Sequence, residues 1–305
     1  MPPTVTVVVV SYNTLEYTRA CLEHLVLHTD VPMRLVIVDN ASSDGSREFL
    51  ALWVSQGVGE RFLISNDRNQ GFARACNQGM EFAPSGSFIA LVNSDLMVSP
   101  RWASRLLAHF SDTDRVAAVG PMGSGMGGAH DYARFFGPAG FETAAWPLPS
   151  GYADFAEKVY RENRGRFRTA KALSGSCLVM SPEAAAEVGR LDEELFMGAD
   201  DCDWSVRARL LNYDLVVARD VYVWHKCHAS LSQLQTDEYR RVIDSTWRHF
   251  NLKWQHVLPY GSWDDQFDND KDVDLPRFKL VCGGGRSEEP DGGTIINGDP
   301  GEVPR

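Results

Sequence analysis

Phe88-Ile89-Ala90-Leu91-Val92-Asn93-Ser94-Asp95 decides the fold. An unbroken apolar run enters a polar turn that ends on a carboxylate. A short continuous run of this kind reads as a strand buried on both faces, the habit of parallel sheets. In open α/β sheets, ligands bind just beyond the carboxyl ends of such strands. Asp95 is therefore presented where a substrate would sit. Two further features look like its partners: the acidic run Asp200-Asp201-Cys202-Asp203, and His225 at the end of another apolar run.

Working outward, Thr4–Val10, Leu35–Val38, Phe62–Ile64 and Val116–Val119 also read as strands. Helical spacing fits between them, as in Leu15, Leu22, Leu25 and Val26, then Phe49, Leu50 and Trp53, then Phe72, Ala75, Cys76 and Met80. A fourth helix is expected with Ser99 as N-cap, Pro100 at the first helical position and Trp102, Leu106 and Phe110 on one face. Strands alternating with helices imply βαβ units and an α/β fold with a mainly parallel sheet. Gly120 to Gly140 is rich in Gly and Met and reads as a mobile loop. Later, Leu173–Met180, Leu215–Val217 and Val221–Trp224 read as strands, and Asp154–Arg164, Asp200–Asn212 and the stretch holding Tyr239, Trp247 and Phe250 as helices. Residues 1–260 form one expected domain, divided near residue 120. The Gly-rich, acidic stretch 261–305 is expected to be a disordered tail.

The 305 residues carry a formal net charge of −11. That argues against nucleic acid, whose phosphates need a basic surface. It also means that a phosphorylated substrate must be held by backbone amides, local arginines or a bridging metal. The six cysteines form no C-x-x-C pair, and Cys21, Cys76 and Cys177, which lie in apolar stretches, read as core thiols. No apolar run is long enough to span a bilayer and no signal pattern opens the chain. The expectation is a cytoplasmic protein, with a peripheral place at a membrane compatible with it.

Three polar segments follow strand ends. Ser11-Tyr12-Asn13 can meet a ligand or simply start a helix. Asp39 is well placed to accept hydrogen bonds from a nucleoside, while Ser42, Ser43 and Asp44 can cap the next helix. In Asn66–Asn77, Gly71 lets backbone approach a ligand, and Arg68 and Arg74 can offset phosphate charge. The three aspartates near Asp200 also suit the first turn of a helix through its dipole.

Taken in order, these pieces resemble the family-2 glycosyltransferases. The resemblance is carried by VVVVSYNT at 7–14, VIVDNASSDGS at 36–46, NDRNQGFARACNQG at 66–79, ALVNSD at 90–95, LSGSCLVM at 173–180, LDEELFMGADDCDWSVRARL at 191–210 and VYVWH at 221–225. It implies a GT-A fold, a Rossmann-like sheet flanked by helices with a smaller acceptor-side subregion. It also implies roles. Ser11, Asn13, Asp39, Arg68, Asn69, Gly71, Asn77, Asn93 and Ser94 would hold the nucleotide. Asp95 would bind a divalent cation, Mn²⁺ or Mg²⁺, with His225 as second ligand and His228 as a nearby substitute. The family's Glu-Asp pair falls on Asp200 and Asp201, with Asp201 as general base. Ser174, Gly175, Ser176 and Trp204 are acceptor-side candidates, although Trp204 also fits a core position. There are two departures: Asn93 stands where a full D-x-D has its first acid, as in rhamnosyltransferase-like members, and Asp200 stands for the usual Glu.

The implied reaction moves a sugar from a nucleotide sugar, a UDP- or dTDP-sugar, to a hydroxyl of a polysaccharide, lipid-linked glycan or glycoprotein, inverting the anomeric centre. A cation stabilises charge on the departing diphosphate, and a carboxylate takes the acceptor proton. Other classes remain as alternatives. A catalytically degenerate homologue would bind a glycan or partner without turnover. A sugar-phosphate nucleotidyltransferase would carry a Gly-rich basic loop where Ser11–Thr14 stands, and a nicotinamide oxidoreductase would carry G-x-G-x-x-G there.

Overall fold

The computed structural model describes residues 3–137, 146–148, 150–227, 229 and 236–258. The expected tail at 261–305, the domain end at 260, His228 and the far end of the Gly120–Gly140 segment lie outside the described residues.

Strands β1 (Val5–Ser11), β2 (Met33–Asp39), β3 (Glu60–Ser65) and β4 (Phe88–Asn93) pair in parallel, in the order β3-β2-β1-β4. Helices α1 (Leu15–His28), α2 (Ser46–Ser55) and α3 (Phe72–Met80) connect them. The valine run of β1 is explained by cover on both faces. Val5, Val7 and Val9 enter one apolar cluster with Leu22 and Leu25 of α1; Val8 and Val10 enter a second with Ala73 and Cys76 of α3. Helix α1 buries Thr18, Cys21, Leu22 and Leu25, one face of a 3.6-residue period. Truncating Leu22 to Ala would cost roughly 2–5 kcal/mol.

The sheet continues through β8 (Cys177–Met180), β6 (Val116–Ser124) and β9 (Asp214–His225) to the two-residue β5 (Leu96–Met97), while β7 (Phe167–Thr169) pairs with the middle of β9. β8 is antiparallel to both β4 and β6, and β6 and β9 run parallel. Parallel ladders carry most of the paired residues. β1 lies between β2 and β4, so strand order reverses there, and a crevice opens at the carboxyl ends of β1 and β4. The remaining helices are α4 (Trp102–Ala108), α5 (Tyr132–Phe136), α6 (Tyr152–Asn163), α7 (Pro182–Val188), α8 (Asp200–Leu210) and α9 (Thr236–Trp254). Among the described residues no helix is long and apolar enough to cross a membrane.

Three local expectations are corrected. Helix α4 does not start at Pro100: Arg101 takes φ +60° and the helix begins at Trp102. The two short strands near 215–224 are one strand, β9, whose register against β6 shifts between Pro121 and Met122. Gly120–Gly123 is buried strand, not mobile loop. Those glycines are needed for close packing. A Cβ on Gly120 would stand 2.4 Å from His130 Cε1, and one on Gly123 would stand 2.7 Å from the Val223 carbonyl oxygen.

Candidate active site

A cavity of about 400 Å³ fills the crevice. Val10, Tyr12 and Asn40 reach it from the ends of β1 and β2, and Asn93, Ser94 and Asp95 from the end of β4. Asn69 and Phe72 close one side. Gly125, Gly127, Ser174, Gly175 and Ser176 close another. Met197, Gly198, Asp200 and Asp201 enter from the start of α8, and His225 and Cys227 from the end of β9. Asp95, Asp201 and His225, far apart in sequence, thus share one cavity.

β5 pairs Leu96 with His225, which brings the end of β9 beside the turn after β4. His225 Nε2 lies 3.0 Å from Asp95 Oδ1 and 3.3 Å from Asn93 Nδ2. Asp95 Oδ2 accepts from the Ala229 amide at 3.2 Å. Burial would raise the Asp95 pKa, but the His225 charge and hydrogen bond outweigh it and hold the carboxyl below its usual range. Burial would lower His225, and Asp95 reverses that shift upward. Asn93 Oδ1 is buried and has no hydrogen-bond partner. A buried orphan acceptor beside an acid–imidazole pair is a place that favours positive charge. Among the described residues no group of three or more His, Cys, Asp or Glu side chains could hold a metal ion. Asp95, His225 and the Asn93 carbonyl suffice for a cation that draws its other ligands from phosphates and water. They fit that group.

The three aspartates opening α8 do different work. Asp203 is fully buried and structural: its carboxylate takes Arg207 Nε at 2.8 Å, Lys253 Nζ at 2.7 Å and Trp254 Nε1 at 2.9 Å, tying α9 to α8. Asp200 is buried, and burial plus the neighbouring Asp201 charge push its pKa well up. Asp201 is half-buried at the cavity wall. Its Oδ2 accepts from the Gly175 amide at 2.7 Å and its Oδ1 from the Cys202 amide at 2.8 Å. Burial raises its pKa while these amides oppose the rise. Asp200, with the Asp201 charge beside it, is pushed up further than Asp201, so Asp201 is the member of the pair that more readily keeps its charge.

Of the residues expected to hold a nucleotide, Asn69, Asn93 and Ser94 line the cavity. Ser11, Asn13, Asp39, Arg68, Gly71 and Asn77 do not. Ser11 is buried against Thr18 Oγ1 at 3.0 Å. Asn13 accepts from the Ser43 amide at 2.7 Å. Asp39 is fully buried and bonds Arg47 Nε at 3.0 Å and the Ser42 amide at 3.2 Å. Asn77 Nδ2 donates to the Leu191 carbonyl at 2.9 Å. Gly71, at φ +84°, lets Phe72 N donate to the Phe196 carbonyl at 2.8 Å. Arg68 is exposed. On the acceptor side, Ser174, Gly175 and Ser176 are on the wall, but Trp204 packs in the core with Nε1 donating to the Gly189 carbonyl at 3.0 Å. Sequence reasoning passed over Asn40, whose side chain bonds Asn69 Oδ1 at 2.8 Å, Asn66 Nδ2 at 3.0 Å and the Gln70 amide at 2.9 Å. Met197, Gly198 and Cys227 were also missed, while Tyr12, from the segment Ser11–Asn13, is on the wall.

Comparison with known proteins agrees with this geometry. A family model described as Glycosyl transferase family 2 matches residues 6–186. Glycosyltransferase AglE of Haloferax volcanii is 27% identical over 225 residues, covering 73% of this chain and 67% of that protein. The N-acetylglucosaminyl-diphospho-decaprenol L-rhamnosyltransferase of Mycobacterium tuberculosis is 26% identical over 246 residues, covering 73% of this chain and 76% of that protein. Other curated glycosyltransferases match over shorter stretches, and the chain spans only 16% to 39% of their lengths. Among solved structures, GalNAc-T7 with UDP, GalNAc and Mn²⁺ superposes with TM-score 0.57 at 19% identity, covering 86% of this chain and 52% of that one. That likeness is one of fold.

Proposed function

The chain belongs to glycosyl transferase family 2, with the GT-A fold, and on that premise we propose that it moves a sugar from a nucleoside-diphosphate sugar to an acceptor hydroxyl with inversion. The observation that carries this is the meeting of Asp201 and the Asp95–His225 pair on the walls of one cavity at the carboxyl ends of β1 and β4. Among the described residues lining it, none is Lys or Arg. The charge of a diphosphate would therefore be met by a divalent cation, Mn²⁺ or Mg²⁺, held by Asp95, His225 and Asn93 Oδ1. Such a cation supplies Lewis-acid stabilisation of the departing diphosphate. The side-chain amide of Asn69, held in place by Asn40, offers a hydrogen bond to the nucleoside, and Tyr12 and Phe72 offer flat apolar surface.

Asp201 is the proposed general base. Its carboxylate is fixed by two backbone N–H groups, and its raised pKa brings it nearer neutrality, where a base is most effective. Asp200, protonated beside it, would keep a second negative charge out of the site. The hydroxyls of Ser174 and Ser176, 2.8 Å apart, are available to an acceptor sugar. The donor is proposed to be a UDP- or dTDP-sugar. The acceptor is proposed to be a glycan, with the lipid-linked form favoured by the substrate in the name of the mycobacterial relative. Release of UDP or dTDP from UDP-GlcNAc, UDP-galactose and dTDP-rhamnose, measured with and without Mn²⁺, tests the reading. Cation-dependent release that is lost in Asp95→Ala supports it. Binding without release from any donor would leave the protein a non-catalytic homologue.

A further inference from the structure

We infer that His130 is a positioning residue that holds the base: it fixes the Ser174–Gly175 turn, and that turn fixes Asp201. The inference rests on the transferase reading above. His130 is fully buried at the end of the short turn Gly128–His130 and does not line the cavity. Both of its ring nitrogens are bonded to backbone. The Ser174 amide donates to Nε2 at 3.1 Å, so Nε2 is the acceptor nitrogen. Nδ1 therefore carries the proton and donates to the Pro121 carbonyl at 2.7 Å. Burial pushes the ring pKa down to about 4, so it stays neutral and in this tautomer near neutral pH.

The two backbone groups it joins lie at irregular places in the fold. Pro121 sits where the β6–β9 register shifts, and Ser174 lies in the turn before β8. Without the imidazole, a buried carbonyl and a part-buried amide would lose their partners. From Ser174 the chain runs to Gly175, whose amide donates to Asp201 Oδ2 at 2.7 Å, and to Ser176, whose carbonyl accepts from the Asn93 amide at 2.8 Å. A single turn thus touches the base on one side and the Asn93–Asp95 segment on the other. A Cβ on Gly175 would stand 3.1 Å from Asp201 Cβ, so glycine lets the turn come this close to the carboxylate without crowding it. Gly120 makes the matching space behind the ring, since a Cβ there would stand 2.4 Å from Cε1. The same loop carries Gly125, whose carbonyl orients His225 Nδ1 at 3.0 Å. The glycine-rich segment thus links the two halves of the site through His130 and Gly125.

An amide donor favours the ionised form of a carboxylate. Loosening the turn therefore raises the Asp201 pKa and moves the acid limb of the kcat–pH profile to higher pH. The variants are His130→Phe, which fills the space without hydrogen bonds, His130→Gln, which offers both an acceptor and a donor, and Gly120→Ala, which displaces an intact ring. Each is measured as folded protein, by UDP or dTDP release from the same donors. His130→Phe is expected to lose about tenfold or more in kcat with donor KM within about threefold, and its acid limb to move up. His130→Gln is expected to recover most of both. If His130→Phe does not fold, Gly120→Ala carries the test with the same expected limb shift. Folded variants with an unshifted limb and unchanged kcat overturn the inference, as does a loss that His130→Gln does not relieve. Asp201→Asn is run beside them. Turnover surviving in that variant sinks the general-base reading itself, whereas an inactive Asp201→Asn with unaffected His130 variants sinks this inference alone.

Discussion

His225 Nε2 stands 3.0 Å from Asp95 Oδ1 while the ring's other nitrogen faces the Gly125 carbonyl, also at 3.0 Å. A carbonyl only accepts, so Nδ1 bears the proton and Nε2 turns towards a carboxylate. Facing Asp95, that arrangement is favoured by positive charge at Nε2, either a second proton or a metal ion. In wild type, Mn²⁺ with UDP is expected to raise the melting temperature. A ligand at one hundred times its Kd contributes about 2.7 kcal/mol to the native state. Asp95→Ala should lose the Mn²⁺-dependent part of that rise in a thermal-shift assay. An equal rise in wild type and variant would remove Asp95 from cation binding.

Asp201→Asn keeps the shape of the side chain and its hydrogen bonds to at most one of the two amides that reach it. It cannot accept the acceptor's proton. Turnover is expected to fall by about 10²–10⁴-fold, the usual worth of general-base catalysis. Nucleotide affinity, measured by calorimetry with UDP and Mn²⁺, should stay within a few-fold. A variant that turns over at the wild-type rate would assign the proton to another group.

Gly71 is held at φ +84°, and a Cβ there would lie 2.6 Å from the Phe196 carbonyl oxygen. That atom is backbone, and it accepts the Phe72 amide at 2.8 Å, so it cannot step aside cheaply. Gly71→Ala should destabilise by more than about 1 kcal/mol in urea denaturation, because both backbone conformation and space oppose it. The displaced segment carries Met197 and Gly198 into the cavity. Donor KM should therefore rise along with the loss of stability. Unchanged stability would mean that the loop at Phe196 is softer than its contacts imply.

The parts of the site legible in the sequence are those in which position along the chain alone decides exposure. Asn93-Ser94-Asp95 closes an apolar strand, and Asp200-Asp201 opens a helix. Both lie at element ends on the crevice. Which neighbour turns inward is legible only through strand parity. Alternation along β1 sends Val10 and Tyr12 towards the cavity and Ser11 away, and the same parity favours Asn40 over Asp39. That signal is present in the sequence, and it selects Tyr12 within the segment Ser11–Asn13 and adds Asn40. Other assignments depend on distant partners. Asp39 meets Arg47 and Asn77 meets the Leu191 carbonyl across the fold, and no local pattern announces either contact. Trp204 packs in the core because Gly189 supplies its ring nitrogen with an acceptor. Gly120 and Gly123 looked like flexibility because their cause, the ring of His130 and the backbone of Val223, lies elsewhere in the chain.

His109 supplies a test of the scaffold that is independent of the site. Its ring is buried between two carboxylates, with Nδ1 on Asp112 Oδ2 and Nε2 2.7 Å from Asp220 Oδ1. Asp220 in turn accepts the Gly165 amide at 2.8 Å, so the cluster joins the end of α4 to β9 and to the turn after α6. Burial would lower the His109 pKa, but the hydrogen bonds and charges of Asp220 and Asp112 outweigh it and raise the pKa above the usual 6.5. The sign follows from linkage: the folded state binds this proton more tightly than the unfolded chain does. The stabilisation is therefore complete below about pH 6.5, the unfolded value, and is lost as pH climbs through the higher folded value. His109→Gln has no such proton. The difference in unfolding free energy between wild type and His109→Gln, from urea denaturation at a series of pH values, should be largest near pH 5.5–6 and shrink steadily into the alkaline range. Taking the difference cancels the carboxylates elsewhere that also titrate. A difference that stays flat, or that grows with pH, would mean that the imidazole sits neutral between the two acids and that they, not the histidine, hold the proton.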